Sequence, residues 1–238
     1  MAPVGDIDLD FWRNPEGVAV PDDELRFLLV PDAVVSAAVD EVAQQVHAHQ
    51  AMTAGSRAQV GVALIVTMGG MLPGVLLHDH LVKGRRPGMP RIEFGTVGVS
   101  LYKSPGVRHE QPRVQQEVSV PVTGSTVLLI DDLGDYGGTL AFLREHIHAS
   151  GAHKVLSLVL YLKPAAKKSH CADFHFGETT QETWIITPRE RVETLMKRVP
   201  VWKQRGASET ECRRRLLEVI GYPHSVVDHY LPGAYAGG

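Results

Sequence analysis

Strand, glycine-rich turn, helix and strand follow one another between Ser125 and Leu162, and this run limits the folds open to the chain. Ser125–Ile130 is a short apolar stretch rich in β-branched residues, which reads as a buried strand ending at Asp131-Asp132. The turn Leu133–Gly138 follows. Thr139 then opens a helix with Leu140, Leu143 and Ile147 on one face, stopped by Gly151. Lys154–Leu162 is the next strand. Two strands joined through a helix are parallel neighbours with a right-handed crossover. The fold class is therefore α/β with a central parallel sheet.

The flanking sequence extends this unit. Ala33–Gln50 has helical spacing, with Asp32 as its N-cap. Val60–Thr67 reads as a second buried strand, then the turn Met68–Gly74 and a helix Val75–Lys83. Ile92–Tyr102 is expected as a strand and the polar Lys103–Glu117 as a long mobile loop. Short strands are expected at Phe174–Phe176 and Thr183–Ile186. Helices are expected at Arg189–Val199 and Glu209–Ile220, and loop from Tyr230 onward.

Composition narrows the function classes. The 238 residues are 44% hydrophobic and 21% charged, which excludes dominant disorder. A net charge of -3 gives no basis for bulk nucleic-acid binding. The two cysteines, Cys171 and Cys212, form no CxxC motif and suit a reducing compartment. With no signal-like start and no apolar run long enough for a bilayer, the expectation is a cytoplasmic protein without membrane partners. The pairs His47/His49, His78/His80 and His146/His148 lie on helices, where i and i+2 diverge, so they are poor metal pairs.

The chemistry concentrates in Val127–Leu140, which reads VLLIDDLGDYGGTL. Glycines let backbone N–H groups curl around an anion, and the helix N-terminus adds about half a positive charge. A phosphate suits the turn, and the acids before it suit ribose hydroxyls. The end of a parallel sheet where strands run out is the usual place for such ligands. The segment lacks the Gly-Lys-Ser/Thr of a P-loop and the glycine spacing of a dinucleotide fingerprint.

Asp131-Asp132-Leu133-Gly134-Asp135-Tyr136-Gly137-Gly138-Thr139 resembles the phosphoribosyl-pyrophosphate (PRPP) signature of type I phosphoribosyltransferases. Three more segments resemble the purine branch, specifically xanthine-guanine phosphoribosyltransferases: Met68–Gly74, Tyr161–Ala165 and Glu182–Ile185. The resemblance covers about residues 27–190. It implies a Mg²⁺-dependent transfer of 5-phosphoribosyl from PRPP to a 6-oxo purine, with xanthine or guanine favoured over hypoxanthine. It implies that Asp131 and Asp132 hold the ribose hydroxyls, with Mg²⁺ bridging ribose and pyrophosphate. Asp135 would accept the proton at purine N7, and Tyr136, Gly137, Gly138 and Thr139 would wrap the 5′-phosphate. Met68, Gly69 and Gly70 would form the pyrophosphate loop. Lys163 would meet the 6-oxo group, Trp184 would stack on the base, and the Ile185 main chain would meet the 2-position. Ser100, Tyr102 and Lys103 would open a lid over PRPP. Family members form homodimers or homotetramers.

Two positions depart from the family pattern. Met68 stands where Arg or Lys is usual, leaving the missing charge to Arg85, Arg86 or Arg91; Tyr136 replaces a small Thr. Two other readings stay open: an unusual heterocyclic acceptor, and a regulator that senses PRPP or nucleotide without turnover. The expected organisation is an acidic arm at 1–25, a phosphoribosyltransferase core at 26–188 with a small hood, and a C-terminal helical extension at 189–238. Residues 1–25 hold seven acids and one base, and residues 189–215 hold nine bases and four acids, so the arm is a candidate to dock on the extension.

Overall fold

A computed structural model describes residues 7–237 apart from Arg86, Pro105, Gly106 and His170, with the backbone only for residues 101–111. In chain order it begins with α1 (Leu9–Arg13), β1 (Val18–Ala19), β2 (Arg26–Leu29) and α2 (Asp32–Met52). Then come β3 (Val60–Val66), α3 (Met71–His78), β4 (Glu93–Ser104), β5 (Val107–Gln116), β6 (Thr126–Ile130) and β7 (Leu133–Gly134). The remainder is α4 (Gly138–Ala149), β8 (Lys154–Leu162), α5 (Pro164–Lys168), β9 (Phe174–Glu178), β10 (Thr183–Ile186), α6 (Arg191–Gln204), α7 (Glu209–Arg214) and α8 (His224–Ala236). Wider π-type turns prolong α3 over Asp79–Lys83 and α7 over Arg215–Ile220.

The chain divides into two compact units: residues 36–178, and residues 1–35 together with 179–238. This grouping differs from the expected arm, core and extension, because chain from both ends builds a single unit.

The larger unit carries a seven-stranded sheet in the order β5-β4-β3-β6-β8-β7, with β9 also on β8. All pairs are parallel except β4 with β5. Every residue of β6 is buried, as expected for a central parallel strand covered on both faces. One face packs Val62, Leu64, Val127, Leu129 and Val159 with Leu140, Leu143 and Ile147 of α4. A polar clamp fixes α4: Arg144 donates from Nε to Ser157 Oγ at 3.0 Å and pairs with Asp173, whose carboxylate also accepts from the Ser157 N–H at 2.8 Å. The buried Gln50 side chain closes α2 onto β3 by bonding both the N–H and the C=O of Val60, at 2.7 and 3.0 Å.

The expected loop Lys103–Glu117 instead carries β5, paired antiparallel with β4. Its polar composition suits an edge strand, where Pro112 can sit without leaving a central ladder short of a donor.

In the second unit β1 is antiparallel to β2, and β2 is parallel to β10, with Phe27 opposite Trp184. The core joins Phe27, Ile186, Leu195, Val199, Trp202, Leu216 and Leu231. The acidic stretch before β2 does dock on the basic helices. The Asp23 carboxylate is fully buried, 2.7 Å from Arg198 Nη2 and 2.6 Å from the Trp202 indole nitrogen. Glu24 meets Arg205 at 2.7 Å.

Three expectations for this unit need correction. The first 25 residues contain α1 and β1 and are not wholly irregular. Helix α6 does not stop before Pro200 but runs on to Gln204, because Val199 and Trp202 lie one turn apart and both are completely buried. The stretch from Tyr230 is not loop but the second half of α8. Val227, Leu231 and Ala234 form one buried face there, and Pro232-Gly233 mask that face in the sequence.

Candidate active site

The ends of β3, β6 and β8 bring the PRPP-like turn, the Met68 turn and Lys163 to the same edge of the sheet. Strand β6 ends in the buried Asp131, whose N–H bonds Leu158 O of β8 at 3.0 Å. The Asp131 carboxylate caps the N–H of Asp132 at 3.0 Å. The Asp132 carbonyl in turn accepts from Leu160 N–H at 3.0 Å. Both acids are thus anchored through the backbone of the neighbouring strand.

The Met68-Gly69-Gly70 turn lies directly against them. A Cβ on Gly69 would come within 2.3 Å of Asp131 Oδ1 and 2.8 Å of Asp132 Oδ1. One on Gly70 would collide with Ile130 O. Only glycine permits this approach. Met68 takes a left-handed φ of 75° and is 65% exposed, an uncommon backbone for a residue other than glycine.

Beyond the acids, Gly137 has φ 80° and turns the chain into α4. A Cβ there would lie 2.5 Å from Ser169 Oγ and 3.1 Å from Cys171 Cβ. By contrast, a Cβ on Gly138, the first residue of α4, would meet nothing within 4 Å. Space is therefore open beside the first residue of α4, and the N-terminus of a helix is a ready anion site. The bulky ring of Tyr136 is 67% exposed and takes no space within the turn. Thr139 is half-buried in the first turn.

Strand β7 positions the remaining pair. Lys163 N–H bonds Gly134 O at 2.9 Å, and the Lys163 ammonium reaches Asp135 Oδ1 at 3.0 Å. The lysine side chain is 9% exposed and the aspartate 44%, so the cation is held in the protein while the carboxylate faces outward. One helical turn on, Lys167 pairs with both oxygens of Glu178 at 2.7 and 2.8 Å, which lowers the Glu178 pKa.

Sequence reasoning missed Ser169 and Cys171 as the floor beneath Gly137. They lie beyond β8 and α5 in the chain, and no local pattern links them to the turn. It also left the Met68 position with candidates that the structure does not support. Arg91 lines a cavity beside Gly61, at the start of β3, whereas Met68 follows its end. Arg85 comes after the far end of the helical stretch that starts at Met71. Arg86 lies outside the described residues. Ser100 is on β4 opposite Arg113, while the side chains of Tyr102 and Lys103 lie outside the described residues.

Trp184 and Ile185 are on β10 in the other unit. The Trp184 indole donates to Thr194 Oγ1 at 2.9 Å, with Lys197 Nζ 5.9 Å from its ring centre. Among the described residues no cluster of three or more His, Cys, Asp or Glu is arranged to hold a metal ion, and no helix is long and apolar enough to cross a membrane.

Comparison with known proteins gives this geometry a family. The phosphoribosyl transferase domain model matches residues 35–190. The xanthine-guanine phosphoribosyltransferase of Gluconobacter oxydans is 32% identical over 123 residues, covering 52% of this chain and 64% of that protein, so just under two thirds of that relative's length is spanned. The protein of the same name from Idiomarina loihiensis is 28% identical over 125 residues, covering 52% of this chain and 68% of its own length. Among solved structures, the purine phosphoribosyltransferase from Pyrococcus horikoshii shares the fold with a TM-score of 0.54 at 23% identity, over 68% of this chain and 92% of that one. With the glycine turn, the paired acids and the sheet order all in place, the chain belongs to the phosphoribosyl transferase domain family.

Proposed function

We propose that the protein is a purine phosphoribosyltransferase that joins PRPP to a 6-oxo purine, xanthine or guanine, releasing pyrophosphate. The observation that carries this reading is the Lys163–Asp135 pair at 3.0 Å beside the open N-terminus of α4. A 6-oxo purine presents O6 and N7 side by side. An ammonium can only donate and a carboxylate only accept, so the pair is matched to O6 and to a protonated N7. A 6-amino purine would set a donor against Lys163.

In this reading the N–H groups of Tyr136, Gly137, Gly138 and Thr139 take the 5′-phosphate, and Asp131 and Asp132 take the ribose hydroxyls. Gly69 and Gly70 line the pyrophosphate, with Met68 exposed beside it. Asp135 holds N7 and removes its proton as the N9–C1 bond forms, a role of general-base type. Trp184, Ile185 and the lid residues Ser100, Tyr102 and Lys103 are assigned by resemblance alone.

Two carboxylates beside a glycine turn offer hard oxygen donors suited to Mg²⁺ but, among the described residues, too few protein ligands to enclose it. Asp131 and Asp132 would hold the ion indirectly, through ribose or water. When bound, Mg²⁺ neutralises charge on the departing pyrophosphate. The two cysteines are buried and unpaired, which fits a reducing cytoplasm. Assembly as a homodimer or homotetramer is part of the proposal, supported by exposed Met71 and Val75 on one side of α3.

The test is PRPP consumption with Mg²⁺ across xanthine, guanine, hypoxanthine and adenine. Turnover with the 6-oxo bases and none with adenine is expected. PRPP binding without turnover on any base would overturn the proposal.

A further inference from the structure

We propose that Arg144 and Asp173 are positioning residues for the 5′-phosphate, acting by holding the turn 134–138 and the first turn of α4 in place. The inference deepens the proposed function and rests on its assignment of a phosphate to that turn.

Helix α4 has glycine as its N-cap, so no side chain of the cap pins its first turn. The shape of the turn is set by what lies behind it. One segment, from Lys163 to Asp173, meets it at three levels. At the start, Lys163 N–H bonds Gly134 O at 2.9 Å. In the middle, a Cβ on Gly134 would lie 3.3 Å from Cys171 Sγ and 3.4 Å from Ala166 Cβ, and one on Gly137 would lie 2.5 Å from Ser169 Oγ. At the end, Asp173 pairs with Arg144 of α4.

That end is itself fixed. Asp173 N–H donates to Ser157 O at 2.8 Å, and Ser157 N–H donates back to the Asp173 carboxylate at 2.8 Å. Ser157 is completely buried in β8, so the carboxylate is anchored to the sheet. Arg144 engages two fixed points at once, the Asp173 carboxylate through Nη2 and Ser157 Oγ through Nε at 3.0 Å. Such a charged, two-point contact is directional. Leu140, Leu143 and Ile147 hold α4 on the sheet, but burial of apolar surface has no direction and leaves sliding along the helix axis poorly fixed. Gly138 precedes Arg144 by six residues, about 9 Å along the helix. The helix therefore carries the setting of Arg144 to its own N-terminus, and a misplacement of about 1 Å can cost a reaction about 100-fold.

The experiment is calorimetric titration of the full-length, Mg²⁺-supplied protein with ribose 5-phosphate in phosphate-free buffer. Arg144→Gln and Asp173→Asn are each expected to raise the Kd about tenfold, the worth of one charged hydrogen bond to the phosphate. Arg144→Lys keeps the pair with Asp173 and should stay within about threefold of wild type. His146→Ala removes another polar contact of the same helix, to Glu117 at 3.1 Å, and should leave the Kd within about twofold. In turnover, the KM for PRPP should rise with the Kd, while kcat and the KM for guanine stay within about twofold. A purely structural role would lower the urea midpoint without altering the affinity of the folded molecules. Unchanged Kd values in Arg144→Gln and Asp173→Asn would therefore overturn the inference, and so would equal weakening in His146→Ala. Binding by the wild type without turnover on any base would refute the transfer reaction and leave the comparison of Kd values to decide this inference. No binding of ribose 5-phosphate by the wild type would overturn both. Asp173→Asn keeps the side-chain shape, so it decides the matter if Arg144→Gln fails to fold.

Discussion

The ammonium of Lys163 lies 3.0 Å from the carboxylate of Asp135, with the lysine buried and the aspartate half-exposed. In the proposed reaction a purine entering between them would replace one ion pair with two directed contacts, so that neither charge is left bare. Asp135→Asn keeps the shape and an accepting oxygen but removes the base that would take the N7 proton. It is expected to lower kcat by about 10²–10⁴-fold while changing the KM for PRPP by less than about threefold, read from steady-state kinetics. Equal loss of both would count against a role at the base.

Lys163→Gln exchanges a pure donor for an amide that can also accept. The ratio of kcat/KM for guanine over adenine should fall by about 10–100-fold, the worth of one charged hydrogen bond. An unchanged ratio would separate Lys163 from base selection.

Gly137→Ala tests the phosphate turn. Its φ of 80° and the 2.5 Å approach to Ser169 Oγ leave no room for a methyl group. Stability should drop by about 1–3 kcal/mol in urea titrations, and PRPP binding should weaken. Gly138→Ala, with nothing within 4 Å and an ordinary helical backbone, should fold as well as wild type.

The buried Asp23 gives a prediction for the smaller unit. Asp23→Ala leaves the Trp202 N–H without its acceptor and Arg198 with only the longer Glu24 contact at 3.6 Å, and should cost about 1–3 kcal/mol. Replacing Asp23 and Arg198 together by apolar residues should recover part of that loss, as a double-mutant cycle would measure.

Burial raises the pKa of Cys171, Cys212, Tyr161 and Tyr222. Because the folded state holds these groups protonated more firmly than the unfolded chain does, their contribution is complete below the ordinary thiol range. It is lost as pH rises through and beyond that range. The urea midpoint should therefore fall progressively above about pH 9, and both thiols should resist alkylation in the native protein at about pH 8.

The sheet unit was readable in the sequence because its signals are local. Apolar runs such as Val127–Ile130 are bounded by acids and glycines, and α4 shows its buried face at helical spacing. The acids and the glycine turn stand out for the same reason, whereas Lys163 is singled out only by the family resemblance, because a lysine at a strand end ordinarily faces solvent and this one is buried. What stayed hidden depends on partners distant in the chain. Strand β2 has only four residues and gains its place from β10, and Pro200 and Pro232 sit in helices that tertiary burial sustains. The Ser169 floor under Gly137 and the Arg144–Asp173 clamp exist only once separate strands and loops have met.

The parallel pairing of β2 with β10 has a consequence for the order of events during synthesis. Arg26–Leu29 leaves the ribosome early, but its partner strand Thr183–Ile186 arrives only after the whole sheet unit has been made. Until then Phe27 and Val20 have no core to enter, and such long-range pairing is slow to form. Residues 18–29 must wait as a short β1–β2 hairpin without its β10 neighbour or its core while residues 36–178 fold. The nascent chain is therefore most open to aggregation, and most in need of a chaperone, in the interval between completion of β9 and completion of α8.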